Sequence, residues 1–290
     1  MIQPVRPGFV AVTMARAVGK AMVIIFAVLF ISWWLHKPTP NNIIELFSGI
    51  TYSCRCPEES TIKGLVHFVS VDLTNPDIDL YVTPLDAEAT TRGWEYKSVW
   101  APTVVYDESL AILINGTLYQ TSRSPAVFPG DWSRSCETVI SEYQVSAIHP
   151  LSYLLWFEDN LTPHLERSFP PPINACEEAR WGISGHLVID RGKISALTQF
   201  VEEVQDARTF VGIDLQLKRL WLVVFENASE VAAAKYLIKQ GLRDVIMVDG
   251  GDSSCIVIGR GANGIIPRAL VWPHRPVANV FGVRSKPSID

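Results

Sequence analysis

Asp249-Gly250-Gly251-Asp252-Ser253-Ser254 is where this sequence concentrates groups able to do chemistry. Two carboxylates and two hydroxyls fall within six residues, and the two glycines allow a sharp turn or a close approach to a ligand. A carboxylate so placed can activate water or steady a developing positive charge. The same composition also fits a tight hairpin whose Asp and Ser side chains satisfy nearby backbone groups. The apolar runs on either side, Asp244 to Val248 and Cys255 to Ile258, read as short buried strands.

The elements that must position this stretch are legible just upstream. Trp221 to Phe225 reads as an apolar strand. Asn227 is placed as an N-cap, with Glu230 completing a capping box. The helix expected from Ala228 to Gln240 puts Val231, Ala234, Leu237 and Ile238 on one face and ends at Gly241. Strand, helix and strand form a βαβ unit, which predicts parallel strands and a right-handed crossover. Asp249 then stands just past the carboxyl end of a strand, where ligands collect in open α/β sheets. That placement favours a ligand site over a hairpin.

Further back, Leu65–Val71 and Ile78–Val82 read as strands about an Asn75-Pro76-Asp77 turn. Ala111 to Ile114 is another strand, and Asn115-Gly116 at its end is an ordinary hairpin signal. Residues 120–178 carry many prolines, with Trp132, His149, Trp156 and His164 among them. They read as a long excursion from the core of the kind that often carries binding function. Gly185 to Asp190 reads as a strand, followed by a turn. The fold class expected is α+β, a mixed β-sheet core with a C-terminal βαβ unit.

The 290 residues, 48% hydrophobic and 19% charged, can bury a sizeable core. A net charge of −5 offers no basic field for a nucleic acid. Arg6, Arg16 and Lys20 precede an uncharged apolar block, Ala21–Leu35, with Trp33 and Trp34 near its far end. Its 15 residues reach about 22 Å as a helix, which is short for a ~30 Å hydrocarbon core. His36-Lys37-Pro38 follows in place of a small-x-small cleavage site, which favours a retained signal anchor over a cleaved signal peptide. Either way the positive flank places the rest of the chain on the extracytoplasmic side, membrane-anchored or secreted. The expected layout is an anchor over 1–37, a linker over 38–61 and one catalytic domain over 62–290.

Of five cysteines, Cys54 and Cys56 are too close for an ordinary bridge, while Cys136 and Cys176 flank the loop-rich region and suit one. No CxxC or HExxH spacing marks a metal site. His149, His164, His186 and His274 read as structural or exposed, with His274 beside Arg275 as the one to test.

Taken in order, the motifs resemble the phosphodiester glycosidase family from about Lys63 to Arg284. They are Val71-Asp72-Leu73 with Asn75-Pro76, Ile114-Asn115-Gly116, Arg208-Thr209 with Gly212, Asp249 to Ser254, and Arg275-Pro276-Val277-Ala278-Asn279. Two departures stand out. Thr117-Leu118-Tyr119 follows Asn115-Gly116 where the family usually has a further Gly and aromatics, and Asp252 replaces a common Gly.

The resemblance implies a hydrolase that cleaves a sugar from a glycosyl-1-phosphodiester in a cell-surface or exported glycan. The leaving phosphate monoester has a second pKa of about 6 and departs with little help from an acid. It calls for a cation instead, and an arginine fork suits phosphate oxygens. On this reading Arg208 is the clamp, with Arg275 second, and Asp249 is the catalytic carboxylate. Asn115, Gly116, Gly250, Gly251, Asp252, Ser253 and Asn279 would line the substrate site with Arg275. No cofactor is required, although Asp249 and Asp252 could share a divalent cation. A non-hydrolytic, membrane-tethered binder of polysaccharide is the alternative, for which nine tryptophans offer stacking surfaces. Hydrolysis of an ordinary glycosidic bond is a third option, and it would require a second carboxylate near Asp249.

Overall fold

The computed structural model describes residues 42–124, 126–146, 152–167, 177–196, 204–260 and 268–287. The expected anchor over 1–37 lies outside them, as do His149 and Cys176. Among the described residues, no helix is long and apolar enough to cross a membrane. The first half of the domain forms β1 (Ile43–Phe47), β2 (Ile50–Arg55), β3 (Ile62–Asp72), β4 (Asp79–Val82), β5 (Tyr96–Lys97), β6 (Ile112–Asn115), β7 (Tyr119–Thr121), β8 (Trp132–Ser135), β9 (Val139–Ser141) and β10 (Gln144–Val145). The second half forms β11 (Tyr153–Phe157), β12 (Pro163–Arg167), β13 (Trp181–Asp190), β14 (Lys193–Ile194), β15 (Asp206–Asp214), β16 (Arg219–Ala228), β17 (Asp244–Met247), β18 (Ile256–Ile258), β19 (Arg268–Val271) and β20 (Val280–Arg284).

A twelve-stranded sheet runs β1-β2-β3-β16-β15-β17-β13-β11-β12, with β9 and β14 paired to β13 and β10 to β9. A second sheet runs β19-β18-β6-β20-β4, and a small third one runs β5-β8-β7. The two larger sheets pack face to face. Val69, Val211, Leu222, Val224 and Ile246 of the first meet Leu80, Ile112, Ile114, Ile256 and Phe281 of the second. On the far face of the large sheet, Ala233, Ala234, Tyr236 and Leu237 of the helix Glu230–Lys239 cover Phe210, Val223, Phe225 and Val245. On the far face of the second sheet, Ala101, Val104 and Val105 of the helix Ala101–Asp107 cover Leu113, Val257 and Val280. Strands buried on both faces read as unbroken apolar runs, which is why Trp221–Phe225 and Val245–Val248 stand out in the sequence. Filling such a position matters: truncating the fully buried Leu237 to Ala would cost about 2–5 kcal/mol.

Four expectations change. The sheet is not mixed, because every strand pairing among the described residues is antiparallel. The βαβ unit exists, but β15 lies between its strands. β16 and β17 are each antiparallel to β15 and so parallel to one another. Residues expected to form a linker instead supply β1 and β2, since Ile50, Tyr52 and Cys54 bury against β3. The helix is capped by Ser229, whose hydroxyl accepts from the Ala232 amide at 3.2 Å, because β16 runs on to Ala228 and keeps Asn227 in the strand.

The excursion over 120–178 contributes strands to the fold: β8 to β12 fall within it, and β7 overlaps its start. Cys176, one end of its suggested bridge, lies outside the described residues, among which Cys54, Cys56, Cys136 and Cys255 carry free thiols.

Candidate functional site

β17 ends in the large sheet and β18 begins in the second sheet, so residues 248–255 cross from one to the other. The two flanking apolar runs do not pair, which excludes the hairpin alternative: β17 lies between β15 and β13, and β18 between β6 and β19. The crossing tightens into a 3-10 turn, Gly251–Ser253, where Gly251 sits at φ +59°. A side chain there would hold strained left-handed backbone and would bring its Cβ to 3.0 Å from Asp206 Oδ2.

Buried asparagines hold this crossing in place. Asn115, at the end of β6, donates from Nδ2 to the Asp249 carbonyl at 2.6 Å. Its Oδ1 accepts from Thr209 Oγ1 at 2.8 Å and from the Cys255 amide at 3.0 Å. One side chain thus ties β6, β15 and both ends of the crossing together. The Asp249 amide donates to the Gly116 carbonyl at 3.1 Å, and the Gly116 amide donates to the Asn279 carbonyl at 2.9 Å. Asn279 Oδ1 accepts from the Thr117 amide at 2.9 Å, and its Nδ2 donates to Thr117 Oγ1 at 3.2 Å. Any Cβ at Gly116 would overlap the Asn279 side chain, so glycine is required there by contact. Asn115 and Asn279 were expected to bind substrate; their side chains make hydrogen bonds within the fold.

Asp249 joins this arrangement to a half-exposed arginine. Its Oδ1 accepts from the Gly250 amide at 2.9 Å, and its Oδ2 accepts from Arg275 Nη2 at 3.3 Å. Arg275 Nε donates to Ser253 Oγ at 2.8 Å, and its guanidinium lies over the Tyr119 ring at 5.2 Å. Asp249 is only 6% exposed, whereas the Arg275 side chain is 34% exposed. Burial raises the Asp249 carboxyl above its ordinary range, against the opposing pull of Ser253, Arg275 and the Gly250 amide. The outcome is a buried carboxylate with a half-exposed cation at its mouth.

Arg208 is placed differently. It follows a bulge in β15, a device that re-aims side chains. Its Nη1 lies 3.2 Å from where a Cβ on Gly250 would stand, and its Nη2 donates to the Val204 carbonyl at 3.2 Å. Nε has no hydrogen-bond partner among the described residues. Arg208 lowers the carboxyl of Glu230, which burial raises more strongly. Glu230 Oε1 in turn stands 3.5 Å from His186 Nε2. The structure therefore sets Arg275 against Asp249, and Arg208 on the helix side of Gly250 with Glu230 and His186. Asp252 is exposed, and its carbonyl accepts from the His274 amide at 2.9 Å.

A divalent cation shared by Asp249 and Asp252 does not fit. Both Asp249 oxygens already accept hydrogen bonds, and the guanidinium of Arg275 holds the position a cation would take. His164 stacks on Trp156 at 3.9 Å and bonds Glu158 at 2.7 Å, a structural role.

Two residues of this neighbourhood carried no readable signal. Glu230 looked like a capping residue, and Glu137 lies in a stretch with no motif. Burial first, and the charge of Asp249 second, push the Glu137 carboxyl up to about 8.

The fold that carries this site has known relatives. The model of the phosphodiester glycosidase family matches residues 149–284, which include Arg208, Asp249–Ser253, Arg275 and Asn279. The fold is similar to the catalytic domain of zebrafish N-acetylglucosamine-1-phosphodiester alpha-N-acetylglucosaminidase, auto-inhibited by pro-peptide. That match has a TM-score of 0.60 at 15% identity and covers 87% of this chain and 90% of that one. It is also similar to a hypothetical protein from Synechocystis, with a TM-score of 0.56 at 14% identity, covering 86% of this chain and 64% of that one. No curated protein sequence matches the chain. The resemblance to phosphodiester glycosidases thus holds in sequence over 149–284 and in fold over most of the chain.

Proposed function

We propose that this domain is a hydrolase that releases a sugar from a glycosyl-1-phosphodiester of a cell-surface or exported glycan. The observation that carries this reading is the contact of Arg275 with both Asp249 and Ser253 at the sheet crossing. Asp249 activates water or steadies the oxocarbenium-like centre as the sugar–oxygen bond breaks. Its raised carboxyl makes it a stronger base than an exposed aspartate. Arg275 faces the negative charge that gathers on the departing phosphate, and Arg208 stands as a second cation beyond Gly250. The basic flank and apolar block of residues 1–37 support placing the domain on the extracytoplasmic side, tethered to the membrane.

The test is to incubate the full-length protein with a panel of sugar-1-phosphate diesters in ¹⁸O-labelled water and identify the products. The expected result is free sugar carrying the label, together with an unlabelled phosphate monoester. Label on phosphate would overturn cleavage at the sugar carbon, and binding without release would favour a polysaccharide-binding role.

A further inference from the structure

Glu137 lies between β8 and β9, two residues before Val139, which packs in the core between the two large sheets. Ser135 fixes its backbone. The Ser135 hydroxyl accepts from the Glu137 amide at 3.0 Å and donates to the Glu137 carbonyl at 2.5 Å. That hydroxyl also lies 2.6 Å from Thr117 Oγ1, and the neighbouring Gly116 carbonyl accepts from the Asp249 amide at 3.1 Å. One hydrogen-bonded framework therefore holds both Glu137 and Asp249.

Glu137 Oε2 is buried and has no hydrogen-bond partner among the described residues. A carboxyl oxygen removed from water without a partner is costly when ionised and needs a reason. Asp249 from the sheet crossing is the charged group that acts on it. Glu137, Asp249, Glu95 and Arg134 also surround the adjacent Cys136 thiol, and Glu95 accepts from the Ser135 amide at 2.8 Å. Burial and the Asp249 charge keep the carboxyl protonated through neutral pH. A protonated carboxyl is an O–H donor.

We propose that Glu137 is the second carboxyl of this site, giving its proton to the leaving oxygen, so that the site also takes glycosides whose leaving group is an alcohol. The inference rests on the hydrolase reading above. In the step, the bond between the anomeric carbon and the leaving oxygen breaks, and its electron pair stays on that oxygen. The Glu137 proton neutralises it. Water adds its oxygen to the anomeric carbon and passes a proton to Asp249, and exchange with solvent then restores both carboxyls. One water is consumed, and a sugar and an alcohol are formed. A phosphate leaving group, with its second pKa of about 6, departs without that proton, whereas an alcohol does not.

The experiment compares full-length wild type with Glu137→Gln on methyl phosphodiesters, 4-nitrophenyl glycosides and methyl glycosides of N-acetylglucosamine, glucose and galactose. The loss in the variant is expected to grow with the basicity of the leaving group, reaching about 10²-fold on methyl glycosides. The alkaline fall-off of the wild-type rate on methyl glycosides should vanish with it. An equal loss on every leaving group, with an unchanged pH profile, would assign Glu137 a structural role and overturn the proposal. Wild-type cleavage of phosphodiesters but never of methyl glycosides overturns it while leaving the parent reading intact. A wild type inert on the whole panel overturns both.

Discussion

Two sets of buried polar groups differ in whether their hydrogen bonds are closed. In the first, Asn115, Thr117, Thr209 and Asn279 are buried and satisfy one another and the backbone of the crossing. In the second, Glu137 Oε2, Arg208 Nε, Glu230 Oε1, His186 Nε2 and Ser254 Oγ are buried with open hydrogen-bonding capacity. Buried polar atoms are nearly always paired, so each such exception calls for an explanation. Closed networks make a rigid frame, and open ones leave affinity available to a substrate. Asn115 and Asn279, which the motifs assign to the substrate, belong to the frame.

This contrast can be broken by mutation. The largest effect is expected for Asp249→Asn, a loss of sugar release of at least about 10³-fold with an unchanged thermal midpoint. Near-wild-type turnover would remove Asp249 from the chemistry. Next comes Asn115→Ala, which should act on stability. It strands the Asp249 carbonyl, the Cys255 amide and the Thr209 hydroxyl, at a total of about 3 kcal/mol by denaturant unfolding. A midpoint equal to wild type would erase the distinction between frame and site.

The arginines should separate by role. Arg275→Lys is expected to lower kcat/KM by about 10- to 100-fold, because a lysine cannot bridge Asp249 and Ser253 as a fork. Arg208→Ala should act mainly through KM. Equal effects on kcat would join the two into one clamp.

Stability against pH tests the open cluster directly. The Glu137 carboxyl of the folded protein stands near 8, while an unfolded chain titrates near its ordinary value of about 4.3. Between those values the folded state holds a proton that the unfolded state has released. Stability from this group is therefore fully present below about 4.3 and falls as pH rises, by at most about 1.4 kcal/mol per unit. Glu137→Gln should flatten that decline, and an unchanged slope would show that the carboxyl ionises freely. The smallest effect is Gly251→Ala, about 1 kcal/mol of backbone strain at φ +59°, read as a small drop in thermal midpoint.

Much of this was legible locally. The strand of Asp244–Met247, the helix behind it and the Gly241 stop follow from periodicity and capping chemistry. The Asp249 turn stood out because polar groups interrupt two apolar runs. Pairing was not legible. β15 inserts itself between β16 and β17 from earlier in the chain, and no pattern within those strands specifies the neighbour. The same limit hid β1 and β2, whose prolines and asparagines nearby look like a linker.

Sequence alone therefore determined which residues can do chemistry near the carboxyl end of β17, and that their motifs resemble those of phosphodiester glycosidases. Side-chain type and local period suffice for that, because both are properties of neighbours in the chain. Only the tertiary structure decided that the Asp249 turn bridges two sheets, that Arg275 rather than Arg208 meets its carboxylate, and that Glu137 lies within reach of its charge. These are facts about burial and distance between residues far apart in the chain, and charge interactions depend on both.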